Sequence, residues 1–228
     1  MKKHLILLLF ISLCINSFSQ NYLPLNKIGE VISDSSNTTF YPKLIERFNN
    51  FDTTLTLNEY ILIYYGYGFQ ENYYGYRKDP SVVYFSLFEK KKFDLILKMC
   101  DSTLKETPVC IASNFYKGQV LKEISPNTLE HKKYLERAFN LIDILLSSGD
   151  GKSIETAYKV LFLSDEKRVM YGNLDLEQYK SQSLINHYDE LTVKKSKKFN
   201  QKKIYFDVWL PLNSLSRNFQ KQLLLNKE

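Results

Sequence analysis

The stretch most like a catalytic motif lies between Ser148 and Ser153 and reads S-G-D-G-K-S. Its Gly-Lys-Ser ending matches a phosphate-binding loop, but that loop needs a glycine five residues before Gly151, where Leu146 stands. It also needs a strand before it and a helix after it, whereas here a helical pattern precedes it. A calcium-binding loop would need alternating oxygen ligands and a closing glutamate, and the stretch lacks both. The stretch therefore predicts a structural junction, in which Gly149 ends a helix and Asp150-Gly151 forms a turn.

The histidines do not form a recognisable catalytic or metal-binding pattern. Beyond His4, the chain has His131 and His187, and neither stands in a spacing such as His-Glu-x-x-His. His187-Tyr188-Asp189 could orient an imidazole, but no Gly-x-Ser-x-Gly nucleophile motif accompanies it. On a strand His187 and Asp189 would face the same side, which predicts a surface or interface pair. We predict neither metal nor cofactor.

An aromatic run from Tyr60 to Tyr76 is the most unusual feature of the sequence. It reads Y-I-L-I-Y-Y-G-Y-G-F-Q-E-N-Y-Y-G-Y and holds eight aromatic residues and three glycines. The rings could form a buried corner, in which each hydroxyl needs a partner. They could instead line a groove that stacks on sugar rings or holds a peptide. Tyr60 and Tyr64 are predicted to face inward. The groove candidates are the tyrosines near the glycines: Tyr65, Tyr67, Tyr73 and Tyr76.

Acidic residues beside the aromatic run would be the first suspects in a hydrolase. They are Glu59, Glu71 and Asp79, and each has an ordinary explanation as a helix cap or a loop carboxylate. Thr56-Leu57-Asn58-Glu59 matches a capping box, and Asp79-Pro80 matches a second helix start.

A lysine-rich stretch joins two predicted strands near the C-terminus. No acidic residue lies between positions 191 and 206, and the segment is predicted to be a solvated turn that also discourages edge aggregation. The alternative is a contact with an anionic envelope surface. Its lysines are Lys194, Lys195, Lys197, Lys198, Lys202 and Lys203.

These residues must be positioned by helices that precede strands. Apolar residues recur at helical spacing from about residue 80 to 147, in a rhythm that resembles tetratricopeptide hairpins closed by Pro108. Strand-like alternation follows at 158–163 and 204–210, with a middle strand predicted within Ser183–Val193. A C-terminal helix carries Leu212, Leu215, Phe219 and Leu223. We predict an α+β fold: a helical region 20–148, then a region 149–228 with a small antiparallel sheet, packed as one unit.

The N-terminus has the pattern of a secretory signal peptide. Lys2 and Lys3 precede an apolar core, Leu5–Ile15, and the small residues before Gln20 predict cleavage after Ser19. Leu13 is too large for lipidation at Cys14. No other apolar segment is long enough to span a membrane.

Charge and cysteines narrow the classes further. Removing Lys2 and Lys3 lowers the net charge from +6 to +4, which is too mild to predict nucleic-acid binding. Cys100 lies in one helical stripe and Cys110 beyond Pro108, so helix packing distances favour two core thiols over a disulfide.

Four segments resemble one exported bacterial family, the domain of unknown function 4919. They are Y-Y-G-Y-G-F-Q-E-N-Y at 64–73, G-D-G-K-S-I-E-T-A-Y-K-V at 149–160, K-S-Q-S-L at 180–184 and I-Y-F-D-V at 204–208. The resemblance covers roughly residues 40–217. It implies a Bacteroidota-type source and a helical part followed by a small β part. It implies no activity, so it assigns no catalytic residue.

The sequence therefore predicts an exported, non-catalytic binding or assembly module of the cell envelope. Its partner would be an envelope protein, a peptide or a glycan. The alternative is an envelope hydrolase or a carbohydrate-binding protein that acts through the tyrosine-rich groove.

Overall fold

The computed structural model describes the backbone of residues 23–225 and side chains as far as Gln220. The predicted signal peptide lies outside these residues. Helices come first and strands later, which confirms the α+β prediction. The helices are α1 (Leu25–Ser33), α2 (Tyr41–Asn49), α3 (Leu57–Gly66), α4 (Ser81–Glu89), α5 (Phe93–Glu106), α6 (Ile111–Ile124), α7 (Glu130–Ser147), α8 (Ser164–Lys167) and α9 (Trp209–Leu225). The strands are β1 (Tyr158–Lys159), β2 (Ser181–Ile185), β3 (Tyr188–Thr192) and β4 (Lys203–Asp207).

Helix α1 lies at the start of the predicted helical region, well before the apolar repeats that begin at about residue 80. Its pattern is readable in the sequence: Leu25, Ile28 and Ile32 have the spacing of one helix face, and all three are buried. The polar segment that follows, residues 34–40, contains turns, as its composition indicates.

Helix α3 begins with the predicted capping box. The Thr56 side chain accepts the Glu59 backbone N–H, and the Glu59 carboxylate accepts the Thr56 backbone N–H. Arg47 of α2 contacts the Glu59 carboxylate and donates to Asp52 at 2.7 Å. The cap therefore also joins α2 to α3. Three consecutive residues of α3, Ile63–Tyr65, are fully buried.

Helices α4 to α6 share a small core of their own, and α7 packs against α6. Tyr84 of α4 is buried, and its hydroxyl lies 3.2 Å from the Thr103 hydroxyl and 3.0 Å from that of Ser113. Cys100 is buried and Cys110 half-buried, and both are free thiols, which confirms the core-thiol prediction. The tetratricopeptide resemblance of these helices remains a prediction.

The sheet corrects the strand prediction in two ways. The order is β1-β4-β3-β2, and β1 pairs with β4 in parallel, so the sheet is mixed rather than antiparallel. The chain leaves β1 through α8 and the β2–β3 hairpin before β4 returns beside it in the same direction. The single middle strand predicted within Ser183–Val193 is in fact two strands, β2 and β3. They are joined by Asn186-His187, with Asn186 in the left-handed region at φ 57°.

One large core joins the two regions. It contains buried residues of α1 to α3 and of α7, together with the core-facing side of the sheet. Residues of β4 alternate as predicted, since Ile204 and Phe206 are buried while Tyr205 and Asp207 lie on the opposite face. That opposite face carries the polar groups considered next.

Candidate functional site

The tyrosine-rich segment is mainly architecture. Tyr65, Tyr67 and Tyr73 are buried, so the prediction that they line an open groove is wrong; Tyr76 alone of the four is half-buried. The Tyr65 hydroxyl donates to the Lys159 carbonyl at 3.0 Å, and the Tyr67 hydroxyl donates to the Glu106 carbonyl at 2.9 Å. Each ring therefore buries a large area while its hydroxyl satisfies a backbone acceptor on another element.

The same segment fastens the helical region to the β region. The Tyr73 hydroxyl donates to the Leu161 carbonyl, and the Tyr64 hydroxyl donates to the Asp165 carboxylate at 2.8 Å. Burial raises the pKa of Tyr73 well above its usual value, because the phenolate would lose its hydration. Gly75 allows close approach of α9, since a Cβ there would lie 2.5 Å from the Pro211 Cα atom. The glycines thus serve packing rather than an open groove.

Two of the three acidic suspects near this segment have structural roles. Glu59 is part of the capping box described above. Asp79 accepts the Ser81 backbone N–H at 2.8 Å and the Arg168 guanidinium at 3.0 Å. Glu71 is exposed on the loop after α3. Asp79 lines a cavity of only about 20 Å³, which is too small for a polymer chain.

The Gly-Lys-Ser stretch is a junction, as predicted. Helix α7 ends at Ser147, and the backbone N–H groups of Asp150 and Gly151 donate to the Thr156 carbonyl. Gly151 has φ +67°, a value that favours glycine. The Asp150 carboxylate accepts the Lys152 N–H and the Thr156 hydroxyl. The loop therefore closes on itself.

The lysine-rich turn joins β3 to β4, as predicted. Three of its lysines face carboxylates: Lys194 lies 3.6 Å from Glu177, Lys198 3.0 Å from Asp175, and Lys203 2.8 Å from Glu190. These exposed pairs partly neutralise the turn, which favours its interpretation as a solvated connection.

A cleft at one end of the sheet brings together groups that the sequence keeps far apart. It measures about 440 Å³, a size typical of small-ligand sites. Its walls come from the start of α1, the strands β1, β3 and β4, and the first residue of α9. The lining residues are Pro24, Leu25, Asn26, Lys159, His187, Tyr188, Asp207 and Trp209.

Strand register produces the polar row inside this cleft. Lys159 of β1 and Tyr188 of β3 both stand opposite Asp207 of β4, so the three side chains share one face of the sheet. His187, in the hairpin loop, places its Nε2 atom 3.9 Å from the Asp207 Oδ1 atom. The His187 and Tyr188 rings stack with centroids 4.2 Å apart. The backbone N–H of Trp209 donates to Asp207 Oδ1 at 3.0 Å.

The charged groups of the cleft are partly desolvated. Burial raises the pKa of Asp207, while the Trp209 N–H bond, His187 and Lys159 act to lower it. Burial lowers the pKa of Lys159, whose ammonium donates to the Ser148 carbonyl at 3.0 Å. The cleft thus offers a carboxylate, an ammonium and an imidazole beside two aromatic side chains, a set suited to orienting a polar ligand that has flat apolar faces.

Two other depressions in the protein are less suitable as ligand sites than this cleft. A cavity of about 20 Å³ beside Asp79 and Arg168 has room for about one water molecule. A depression of about 500 Å³ over Lys122, Leu135 and Phe139 is a shallow surface between α6 and α7. Within the described ranges, no group of three or more His, Cys, Asp or Glu residues could hold a metal ion.

Sequence reasoning missed most of this site. It paired His187 with Asp189, whereas Asp189 is buried on the core-facing side of β3 and accepts a hydrogen bond from Gln182 at 2.7 Å. The alternation in β4 correctly separated Asp207 from the core. Only the pairing of strands, however, places Lys159 next to it, because the two residues are 48 positions apart in the chain.

The fold and the site together define an α+β protein in which a helical layer and a small mixed sheet share one core, with a ligand-sized cleft at the sheet end. The chain belongs to the family described as Domain of unknown function (DUF4919), whose model matches residues 26–217. The match includes nearly every element that builds the cleft. No curated protein matches the chain. No solved structure matches it.

None of the described helices combines the length and the apolar character needed to cross a bilayer.

Proposed function

We propose that this protein is an exported, non-catalytic binding module of the bacterial cell envelope, and that it holds a glycan in the cleft around Asp207. The observation that carries the proposal is the row Lys159–Asp207–Tyr188 on one sheet face, closed by His187 and Trp209. The N-terminal sequence pattern supports export.

Sugar rings fit the chemistry of this lining. Their C–H faces pack on aromatic side chains, and Tyr188 and Trp209 provide such surfaces at low entropic cost. Their hydroxyl groups donate to carboxylates and accept from ammonium groups, which Asp207 and Lys159 supply. The ligand can be neutral, because the opposite charges of Asp207 and Lys159 lie next to each other.

The number of carboxyl groups in the cleft favours binding without chemistry over glycoside hydrolysis. Glycoside hydrolysis ordinarily uses two carboxyl groups on either side of the scissile bond. Among the described residues, the lining of the cleft includes one carboxyl group, that of Asp207, and no serine, threonine or cysteine that could act as a nucleophile.

The single tryptophan of the chain provides a direct test, because Trp209 lines the cleft. Tryptophan fluorescence would be followed while β-1,4-linked N-acetylglucosamine oligomers, soluble peptidoglycan fragments or envelope-derived peptides are added. We expect a saturable change with a glycan. Tyr188→Ala should weaken binding about five- to thirtyfold, because it removes a stacking surface of the order of 1–2 kcal/mol.

The matched control is Tyr179→Ala, since Tyr179 is exposed outside the cleft. Circular dichroism would confirm that both variants fold. The proposal fails if no glycan gives a saturable change, or if Tyr188→Ala and Tyr179→Ala bind equally well. Release of shorter sugars during incubation would instead support the hydrolase alternative.

A further inference from the structure

Helix α4 has a surface that its composition does not lead one to expect. Six of its nine residues are apolar or aromatic, and they occur on all sides of the helix. A helix of this kind is ordinarily buried. Here only Tyr84 is buried, while Val82, Phe85 and Val83 are 76%, 58% and 48% exposed. The exposed arc also includes Ser86 and Glu89. Val82, Val83 and Phe85 therefore lie on a surface that lacks a cover within the described residues.

Basic residues flank this apolar surface at both ends. Lys78 precedes the helix, and the exposed turn Lys90–Lys92 follows it. The turn has a fixed shape, because the Lys91 N–H donates to the Phe88 carbonyl and the Lys92 N–H donates to the Leu87 carbonyl. Lys91 has φ 53°, at a position where glycine is the commonest residue.

We propose that this surface, formed by Val82, Val83, Phe85 and Lys90–Lys92, binds the face of an anionic phospholipid bilayer. The apolar side chains would enter the boundary between headgroups and acyl chains, and the lysines would lie beside lipid phosphates. From Ser81 to Lys98 four lysines stand against two acidic residues, so the local charge has the sign that such a surface attracts.

The charge of the α4 surface also argues against a second copy of the chain as its partner. In a symmetric dimer the same patch lies on both subunits. A parallel contact between two α4 helices would bring the two Lys90–Lys92 turns together. An antiparallel contact would bring each turn towards Lys78 of the other copy. Either arrangement places like charges next to one another, which disfavours association.

The surface is independent of the cleft proposed above. None of its residues lines that cleft, so a substitution on α4 leaves glycan binding unchanged if both proposals hold. Membrane attachment through α4 would hold the protein at a bilayer without a spanning segment. The interaction needs both the apolar and the basic parts, because each contributes modestly at an interface.

Vesicle sedimentation would test the proposal. The chain beginning at the predicted mature residue Gln20 would be used, because the apolar segment Leu5–Ile15 would itself bind lipid, and every described element lies beyond it. We expect binding to phosphatidylglycerol/phosphatidylethanolamine vesicles and little binding to phosphatidylcholine vesicles. The double variant Val82→Ser/Phe85→Ser should bind these vesicles at least about tenfold more weakly than the wild type. These side chains are exposed, so the variant should still fold.

Charge variants separate this surface from the β3–β4 turn. Lys90→Glu/Lys92→Glu should also reduce binding, by at least about 25-fold, because each of the two lost lysines strengthens attachment to an anionic surface roughly fivefold. The matched control Lys195→Glu/Lys197→Glu reverses two exposed lysines of the β3–β4 turn and should bind like the wild type. Leu129→Ser, at an exposed apolar position outside α4, is the control for apolar substitution.

Several results would overturn the proposal. One is the absence of binding to anionic vesicles. A second is loss of binding in Lys195→Glu/Lys197→Glu but not in the α4 variants. A third is a dimer in solution that dissociates in Val82→Ser/Phe85→Ser, which would assign the surface to a second copy. A fourth is capture of an acidic envelope protein through α4 without vesicle binding, which would assign it to a protein partner.

Discussion

Replacing Glu166 by glutamine should make this protein more stable at neutral pH and change how its stability depends on pH. Glu166, in α8, is buried beneath the sheet, and its Oε1 atom has no hydrogen-bond partner. Burial, followed by the neighbouring Asp189 carboxylate, raises its pKa to about 9. Glu166 therefore keeps its proton at neutral pH, beside the Asp189 carboxylate that can accept it in a hydrogen bond.

The sign and size of the effect follow from linkage. A carboxyl group whose folded-state pKa is raised favours folding fully below its unfolded pKa of 4.5 and loses that contribution as pH rises towards about 9. Between these values the unfolded state has released the proton and the folded state keeps it. Each pH unit therefore costs about 1.4 kcal/mol of unfolding free energy. From about pH 5.5 to pH 7.5 the loss is about 3 kcal/mol, a sizeable part of the typical stability of a domain.

Glutamine reproduces the protonated carboxyl group in shape and can still donate to Asp189, but it has no proton to lose. Glu166→Gln should thus match the wild type near pH 5 and exceed it by about 2–3 kcal/mol at pH 7.5, measured by urea unfolding. Glu123→Gln, at an exposed position of α6, is the control and should follow the wild type throughout. Equal pH slopes in the wild type and Glu166→Gln, or a variant less stable at pH 7.5, would refute the reasoning.

Two further predictions concern the aromatic segment. Gly75→Ala should lower the unfolding free energy by about 1–3 kcal/mol, because its new Cβ would meet the backbone of α9. The control Gly172→Ala, with open space around it, should be neutral or slightly stabilising. Thermal unfolding checks both, and equal effects would contradict the packing role of Gly75. Tyr64→Phe should lower the unfolding free energy by about 1–3 kcal/mol, because it removes the hydroxyl that donates to the buried Asp165 carboxylate. Tyr74→Phe, at an exposed position, should change it by less than about 0.5 kcal/mol, and urea titrations measure both variants.

Local signals predicted the helical part well. The capping box at Thr56 and Glu59 formed as expected, since its partners are three residues apart and need nothing from the rest of the fold. Cys100 and Cys110 are thiols, as helix spacing indicated. Helix α1 was not identified individually, although Ile28 and Ile32 carried a readable pattern.

The tyrosine groove failed for a physical reason. Sequence shows that Tyr65, Tyr67 and Tyr73 are amphipathic and close to glycines, but it does not show which acceptors lie near their hydroxyls. Those acceptors are the backbone carbonyls of Lys159, Glu106 and Leu161, respectively, brought close only by tertiary packing. Once the hydroxyls are satisfied, burial of the rings is favourable.

The amino-acid sequence by itself determined the family, the order of helices before strands, the capped start of α3 and the junction at Gly151. All of these depend on residues that are near neighbours in the chain or on segments compared in order. The tertiary structure decided the parallel pairing of β1 with β4, and with it the cleft. Because strand pairing joins residues as distant as Lys159 and Asp207, a polar row across three strands exists only after the chain has folded.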